Sequence, residues 1–175
     1  MAGDRKTAKP NEAWRTDITY IHTKKGFGYL AAVMDDYTRK IIGWAWSTRY
    51  DTDLALEALK MACRNRKVAA GIIVHSDRGA QYTSRAWQDA LAQRGMIGSM
   101  SAKGNCYDNA TMERFFGTLK DENIRDESLR SPKEAEETIA HWIAMEYNTK
   151  RPHSSLGNIS PSAFEEKLAR RNLVD

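Results

Sequence analysis

His75-Ser-Asp-Arg-Gly-Ala-Gln-Tyr-Thr-Ser84 puts an acidic residue, Asp77, where an apolar strand ends. The lead-in Gly71-Ile-Ile-Val74 is β-branched and apolar, as a buried strand requires, and the Arg-Gly after Asp77 stops it. A carboxylate at the C-terminal edge of a mixed or parallel sheet can face a ligand crevice instead of the core. Two other acids can meet it there. Asp17 lies in the strand-like Trp14-Arg-Thr-Asp-Ile-Thr-Tyr-Ile21, and Glu113 in the helix-like stretch from Asp108 to Lys120, with 35 residues intervening between Asp77 and Glu113.

The blocks WRTDITYI, YLAAVMDDYTRKIIGWAW, HSDRGAQYTS and SAKGNCYDNATMERFFGTLKDE occur in that order, followed by YNTKRPHSSLGNISPSAF. In these blocks, which cover nearly the whole chain, the sequence resembles the catalytic core of insertion-sequence transposases related to retroviral integrases. The three acids stand in that family's order, the second and third at its usual separation. The resemblance implies a ribonuclease-H-like fold, with a five-stranded mixed sheet of order 3-2-1-4-5 flanked by helices. It also implies a DNA transposase that nicks the ends of its element and transfers the resulting 3′-hydroxyl into target DNA.

Three carboxylates brought together without a cation would repel, raising the pKa of at least one. A divalent cation relieves this, and hard oxygen donors suit Mg²⁺, with Mn²⁺ as a substitute. By resemblance, Asp17 would bridge two such ions, Asp77 would complete one site and Glu113 the other. Asp35 and Asp36 compete for the role, but their place in Asp-Asp-Tyr-Thr between two strands reads as a turn.

Composition sets outer limits. With 175 residues, 41% hydrophobic and 29% charged, the chain fits one soluble domain, and a net charge of +4 is no basic tail. Residues 1–50 carry nine Lys or Arg against five acids, whereas residues 101–150 carry seven against ten, so charge is unevenly spread. Cys63 and Cys106 have no zinc-ligand spacing and read as free thiols. No membrane-length apolar run and no signal core is present, so a cytoplasmic, nucleoid-associated protein is expected. No Walker-type phosphate loop occurs either.

In chain order, residues 1–13 read as a flexible leader and 14–175 as the core with a C-terminal helical tail. Strands are expected over 14–22, 29–34 and 40–47, with turns at 24–28 and 35–39. A helix capped by Asp51, Thr52 or Asp53 runs to about residue 66 and crosses to the strand ending at Asp77. Ser84 caps a helix over 85–94 closed by Gly95, and 96–100 is a last short strand. Helices over 109–126, 132–148 and 161–171 finish the order.

Asn109, Glu113, Gly117 and Lys120 recur at i, i+4, i+8 and i+11, nearly one helix face, which would look at DNA. Asn109 would steady the carboxylate or donate to phosphate, Gly117 would admit a backbone closely, and Lys120 would meet a phosphate. Phe115, Phe116 and Leu119 read as core. Lys103, Asn105 and Tyr107, in the preceding loop, are candidates to grip a strand end, as are Lys150 and Arg151 for phosphate, although 148–152 also reads as a helix stop. Arg78, Gln81 and Tyr82 are positioned to line the crevice, and His75 reads as a buried, hydrogen-bonded histidine.

Full-length relatives usually carry a DNA-recognition region before the core, so a start so close to the core implies an excised piece or a truncated element, with recognition supplied by a separate region or subunit. Pairing two element ends implies a homo-oligomer on DNA. Two alternatives share these residues: another ribonuclease-H-like nuclease, such as one cutting RNA–DNA hybrids, and a silent remnant that only binds DNA or a sister subunit.

Overall fold

The computed structural model describes residues 7–100, 109–123, 129–171 and 173. Its sheet has five strands, β1 (Ala13–Thr23), β2 (Gly26–Asp35), β3 (Ile41–Ser47), β4 (Ile73–Ser76) and β5 (Ile97–Met100), in the order β3-β2-β1-β4-β5. The first three form an antiparallel meander, while β1–β4 and β4–β5 pair in parallel. This is the mixed sheet expected of a ribonuclease-H-like chain.

β2 is buried along nearly its whole length because helices cover both faces of the sheet. On one face Trp14, Val33, Ile42 and Val74 pack with Leu54, Leu59, Tyr82, Trp87 and Leu91. These come from α1 (Thr52–Asn65), α2 (Ala80–Thr83) and α3 (Arg85–Ala92). On the other, Ile21, Leu30, Ala32, Met34 and Ile41 pack with Met112, Phe115, Phe116, Leu119, Ile139 and Trp142. These come from α4 (Ala110–Asn123), α5 (Pro132–His141) and the π-helical turn that follows. The expected core roles of Phe115, Phe116 and Leu119 are met. Gly43 lets β3 touch α1, since a Cβ there would lie 2.3 Å from the Ala58 carbonyl oxygen.

The helix boundaries follow local chemistry. Asp51 caps α1 by accepting from the Leu54 N–H, Ser84 caps α3 through the Trp87 N–H, and Ser131 caps α5 through the Glu134 N–H. α6 (Pro161–Arg171) closes the chain and is anchored by Glu165, which accepts from Thr38 Oγ1 at 2.9 Å and pairs with Lys40 and Arg66.

Several expectations need correction. The first hairpin turn is only Lys24-Lys25, so β2 starts at Gly26, not at 29. Within the expected leader, the Asn11 N–H donates to Asp35 and the Ile73 N–H donates to the Glu12 carbonyl. Strand β4 begins at Ile73, because Gly71 is a turn residue at φ +90°. α2 was expected as loop; four residues are too short for periodicity to reveal, and burial of Tyr82 against Trp87 and Thr16 fixes it.

The expected helix over 132–148 is α-helical only to His141 and then widens into a π-helical turn, Trp142–Tyr147. That widening keeps Trp142, Ile143 and Tyr147 all in the core and sets the buried Asn148 against β3. Asn148 accepts from the Ile41 N–H and donates to the Ile41 carbonyl, both at 2.9 Å, completing the edge strand's backbone bonding with one side chain. Among the described residues no helix is long and apolar enough to cross a membrane.

Candidate functional site

β4 ends at Ser76 while its parallel neighbour β1 continues to Thr23. The last paired residues are Arg15 and His75, so Asp17 and Asp77 each stand two residues beyond that pair, side by side where the sheet opens. Neighbouring strands are about 4.8 Å apart, which sets the scale of the gap between these positions. Asp77 Oδ1 accepts from the Gly79 N–H at 2.8 Å, and Asp17 Oδ1 accepts from the Ile18 N–H at 2.8 Å. Each carboxylate is thus steadied by one local backbone donor.

Glu113 enters from the other face, exposed on the first turn of α4, whose buried Met112 and Phe116 pin the helix over β1 and β2. Arg39 ties this turn down, donating to Thr111 Oγ1 at 3.3 Å while pairing with Asp36 at 2.8 Å. The three acids act on one another. Burial pushes Asp17 up to about 7, and the Asp77 and Glu113 charges push the same way against the Ile18 hydrogen bond.

The donor set is hard oxygen and its like charges repel one another, so its chemistry fits a divalent metal. Among the described residues no three such side chains are yet gathered closely enough to hold an ion. Asn109 is buried, four positions before Glu113, with neither amide atom hydrogen-bonded among the described residues. An unspent buried amide at this spot matches a site completed by a ligand.

Other expected site residues are placed as follows. Gly117 lies on the exposed part of α4, with open space where a Cβ would project. Lys120, half-buried, stands with its Nζ 4.8 Å from the centre of the Tyr20 ring. Lys150 pairs with Glu146 at 2.7 Å, and Arg151 pairs with Glu122. Lys103, Asn105 and Tyr107 lie outside the described residues, as does Cys106. Cys63 is a free thiol.

His75 is buried and hydrogen-bonded to Ser99 at 3.1 Å, the structural role expected for it. Asp35 accepts from the backbone N–H groups of Asn11, Tyr37 and Thr38, and Asp36 pairs with Arg15 and Arg39; both serve the turn. Gln81 and Tyr82 are buried, and Tyr82 shares a 3.2 Å hydrogen bond with Thr16, so they support the crevice from below. Arg78 is exposed beside Asp77.

Sequence reasoning missed Tyr50. Its exposed ring leans on Tyr29 at 5.2 Å between centroids, and its phenol is held above the ordinary value by partial burial, then by Asp77 and Asp17. It therefore lies within electrostatic reach of the same two acids. The only sequence signal was an aromatic residue just before the Asp51 cap, too weak to single out.

Comparison with known proteins bears on this geometry. The integrase core domain family matches residues 7–106, and a second integrase core domain family matches 94–161. The transposase InsF for insertion sequence IS3A of Escherichia coli (strain K12) is 46% identical over 158 residues, 90% of this chain and 55% of that protein. The transposase for insertion sequence element IS904 of Lactococcus lactis is 46% identical over 161 residues, 92% of this chain and 64% of that one. The chain thus spans a little over half the length of such curated relatives.

Among solved structures, a chain of the simian T-cell lymphotropic virus intasome superposes with a TM-score of 0.68 at 19% identity, covering 83% of this chain and 52% of its own. The HTLV-2 integrase catalytic core domain in complex with magnesium gives 0.61 at 15% identity, over 85% of this chain and 93% of that one. The catalytic core domain of BIV integrase gives 0.66 at 14%, over 93% and 99%. These likenesses establish the ribonuclease-H-like integrase fold. By fold and by a sequence match across more than half its length, the chain belongs to the integrase core domain family, in the branch carried by insertion-sequence transposases.

Proposed function

We propose that the chain is the catalytic core of a DNA transposase, with Asp17, Asp77 and Glu113 as the residues that hold two divalent metal ions, Mg²⁺ or Mn²⁺. The observation that carries this reading is the raised carboxyl of Asp17, crowded by burial and by the two other acids where β1 outruns β4. Ions bound there would neutralise charge, favour the attacking oxygen and stabilise the leaving one in an in-line displacement at phosphorus. The HTLV-2 core solved with magnesium supports that choice of ion.

The protein's own residues supply positioning and charge. Asp17 is held by strand β1 and Asp77 by the turn that follows β4, each with a backbone donor, whereas Glu113, exposed on a helix, has the freedom to swing inward. The amide of Asn109 would orient Glu113 or donate to phosphate, and Lys120 would meet phosphate farther along α4. Lys103, Asn105 and Tyr107 remain proposed contacts to a strand end. Lys150 and Arg151 would have to exchange their present carboxylate partners for phosphate.

The reaction is hydrolytic nicking by water at element ends, followed by attack of the freed 3′-hydroxyl on a target phosphodiester, which expels the 3′-hydroxyl of the cut target strand. It exchanges phosphodiesters, so no nucleotide cofactor is called for. Two ends must be held together, which calls for a homo-oligomer on DNA; dimeric and trimeric forms of the HTLV-2 core are known. Recognition of the ends would come from a separate region or subunit, with residues 14–175 forming the core and its helical tail.

Strand transfer is tested with a labelled oligonucleotide bearing a free 3′-hydroxyl, incubated with plasmid in Mn²⁺. Covalent transfer of label to plasmid, absent with a 3′-deoxy end or with EDTA, is expected. Cleavage of RNA–DNA hybrid without any label transfer would favour the nuclease alternative.

A further inference from the structure

Beyond the acids, the first hairpin carries an exposed group that the reaction as described does not use. Tyr20 is 54% exposed and Phe27 50%, with exposed His22 between them. The rings meet edge-on or tilted, with centroids 5.6 Å apart for Tyr20–His22, 4.1 Å for His22–Phe27 and 6.3 Å for Tyr20–Phe27. Exposed apolar groups gathered into one contiguous patch, unlike single ones, mark a binding surface.

Charge narrows the occupant. Lys24 and Lys25 are exposed in the turn, Lys120 stands over Tyr20, and no acid occurs between Asp17 and Asp35. Asp121, next to Lys120, is the nearest acid in sequence on the helix side. Aromatic faces interleaved with cations are how proteins hold unpaired nucleotides, by stacking on the base and pairing with the phosphate.

Position narrows it further. Tyr20 lies three residues beyond Asp17 on β1, about 10 Å at strand rise. Lys120 lies seven residues beyond Glu113 on α4, again about 10 Å at helix rise. Two tracks therefore leave the acids in the same direction and meet where Lys120 covers Tyr20. The separation is about three nucleotides at the duplex rise of one DNA strand, and fewer where the strand is extended.

We propose that Tyr20, His22 and Phe27, with Lys120, Lys24 and Lys25, form a ledge that holds an unpaired DNA nucleotide within about three positions of the phosphate at the acids. This rests on the DNA-processing reading above. The ledge keeps the strand splayed from its complement, so the reacting phosphate stays in the crevice.

The test is fluorescence-anisotropy binding of the full chain to a 12-nucleotide single strand and to a blunt duplex of the same sequence, in EDTA. Tyr20→Ala and Phe27→Ala are each expected to weaken single-strand binding about tenfold and duplex binding less than threefold, with Tyr20→Phe near wild type. An iodouracil-substituted single strand irradiated on the unaltered protein should cross-link to Tyr20 or Phe27. Unchanged binding by both alanine variants, or cross-links elsewhere only, overturns the ledge; label transfer by the wild type in the same preparation would leave the transposase reading standing. Should both variants dissociate an oligomer in sedimentation without altering DNA binding, the surface is a contact between copies and the ledge is overturned. A wild type that neither binds oligonucleotide nor transfers label would bring down both readings.

Discussion

Asp17, on β1, and Asp77, the residue just after β4 ends, each stand two residues past the parallel Arg15–His75 pair, at the point where β4 stops and β1 runs on. The crowding of charge there follows from backbone register and does not depend on any flexible side chain. Removing one charge should therefore relieve the sheet.

The pH dependence follows with a definite sign. Folding raises Asp17 from an ordinary aspartate to about 7, so between those values the folded state binds the extra proton. Without metal, the Asp17 contribution lowers stability by roughly 1.4 kcal/mol per pH unit across that window and levels off above it. Asp17→Asn should abolish this slope, making the metal-free variant more stable than wild type at pH 8 and little different at pH 4. Thermal melts in EDTA at the two pH values check it, and identical pH profiles would contradict it.

Gly117 separates stability from DNA contact. A Cβ there meets nothing within 4 Å, and alanine is the better helix former, so Gly117→Ala should stabilise the protein by up to about 1 kcal/mol. If DNA backbone lies against this face, the same variant should lose affinity for duplex several-fold. Denaturant titration and anisotropy on one preparation read both effects.

Asn148 closes the outer edge of β3. Asn148→Ala leaves the Ile41 N–H and carbonyl without their partner and should cost about 2–3 kcal/mol. Asn148→Asp keeps an acceptor but loses the donor, so it should fall between. A loss below 0.5 kcal/mol for alanine in urea unfolding would show that the bond pair is not what anchors the tail.

Glu165 makes the docking of α6 acid-sensitive. Burial pushes its carboxyl up, but hydrogen bonds and charge from Arg66 and Lys40 outweigh this and hold it below the ordinary glutamate value. A depressed carboxyl contributes stability above its unfolded value and loses it as pH falls through the folded one. Glu165→Gln should thus cost about 2 kcal/mol near neutral pH and progressively less in acid, read from melts between pH 7 and pH 3.

Much of the fold was legible because the signals were local. The Asp51 and Ser84 caps, the apolar runs of β2 and β4, and the helical spacing of Phe115, Phe116 and Leu119 each announce their element without tertiary help. The π-helical turn was not legible, since the contact it accompanies, Asn148 with Ile41, spans 107 residues of sequence. The short α2 was hidden because only burial of Tyr82 defines it. For the site, Asp17, Asp77 and Glu113 were recognised through their flanking blocks, whereas Tyr50 and the Tyr20 ledge have no motif, only a place in space. The intramolecular pairing of Lys150 and Arg151 depended on distant or helical carboxylates that a charge count cannot reveal.

The most direct test of the three-acid account is nicking of supercoiled plasmid in Mn²⁺, Mg²⁺ and EDTA by this chain and its Glu113→Gln variant. Glu113 is exposed, so the substitution leaves the core intact. Nicking that requires either metal and drops at least a hundredfold in the variant is the predicted result. Equal, metal-dependent nicking by both proteins would contradict the account, because phosphodiester chemistry would then lie somewhere other than the crevice shared by Asp17, Asp77 and Glu113.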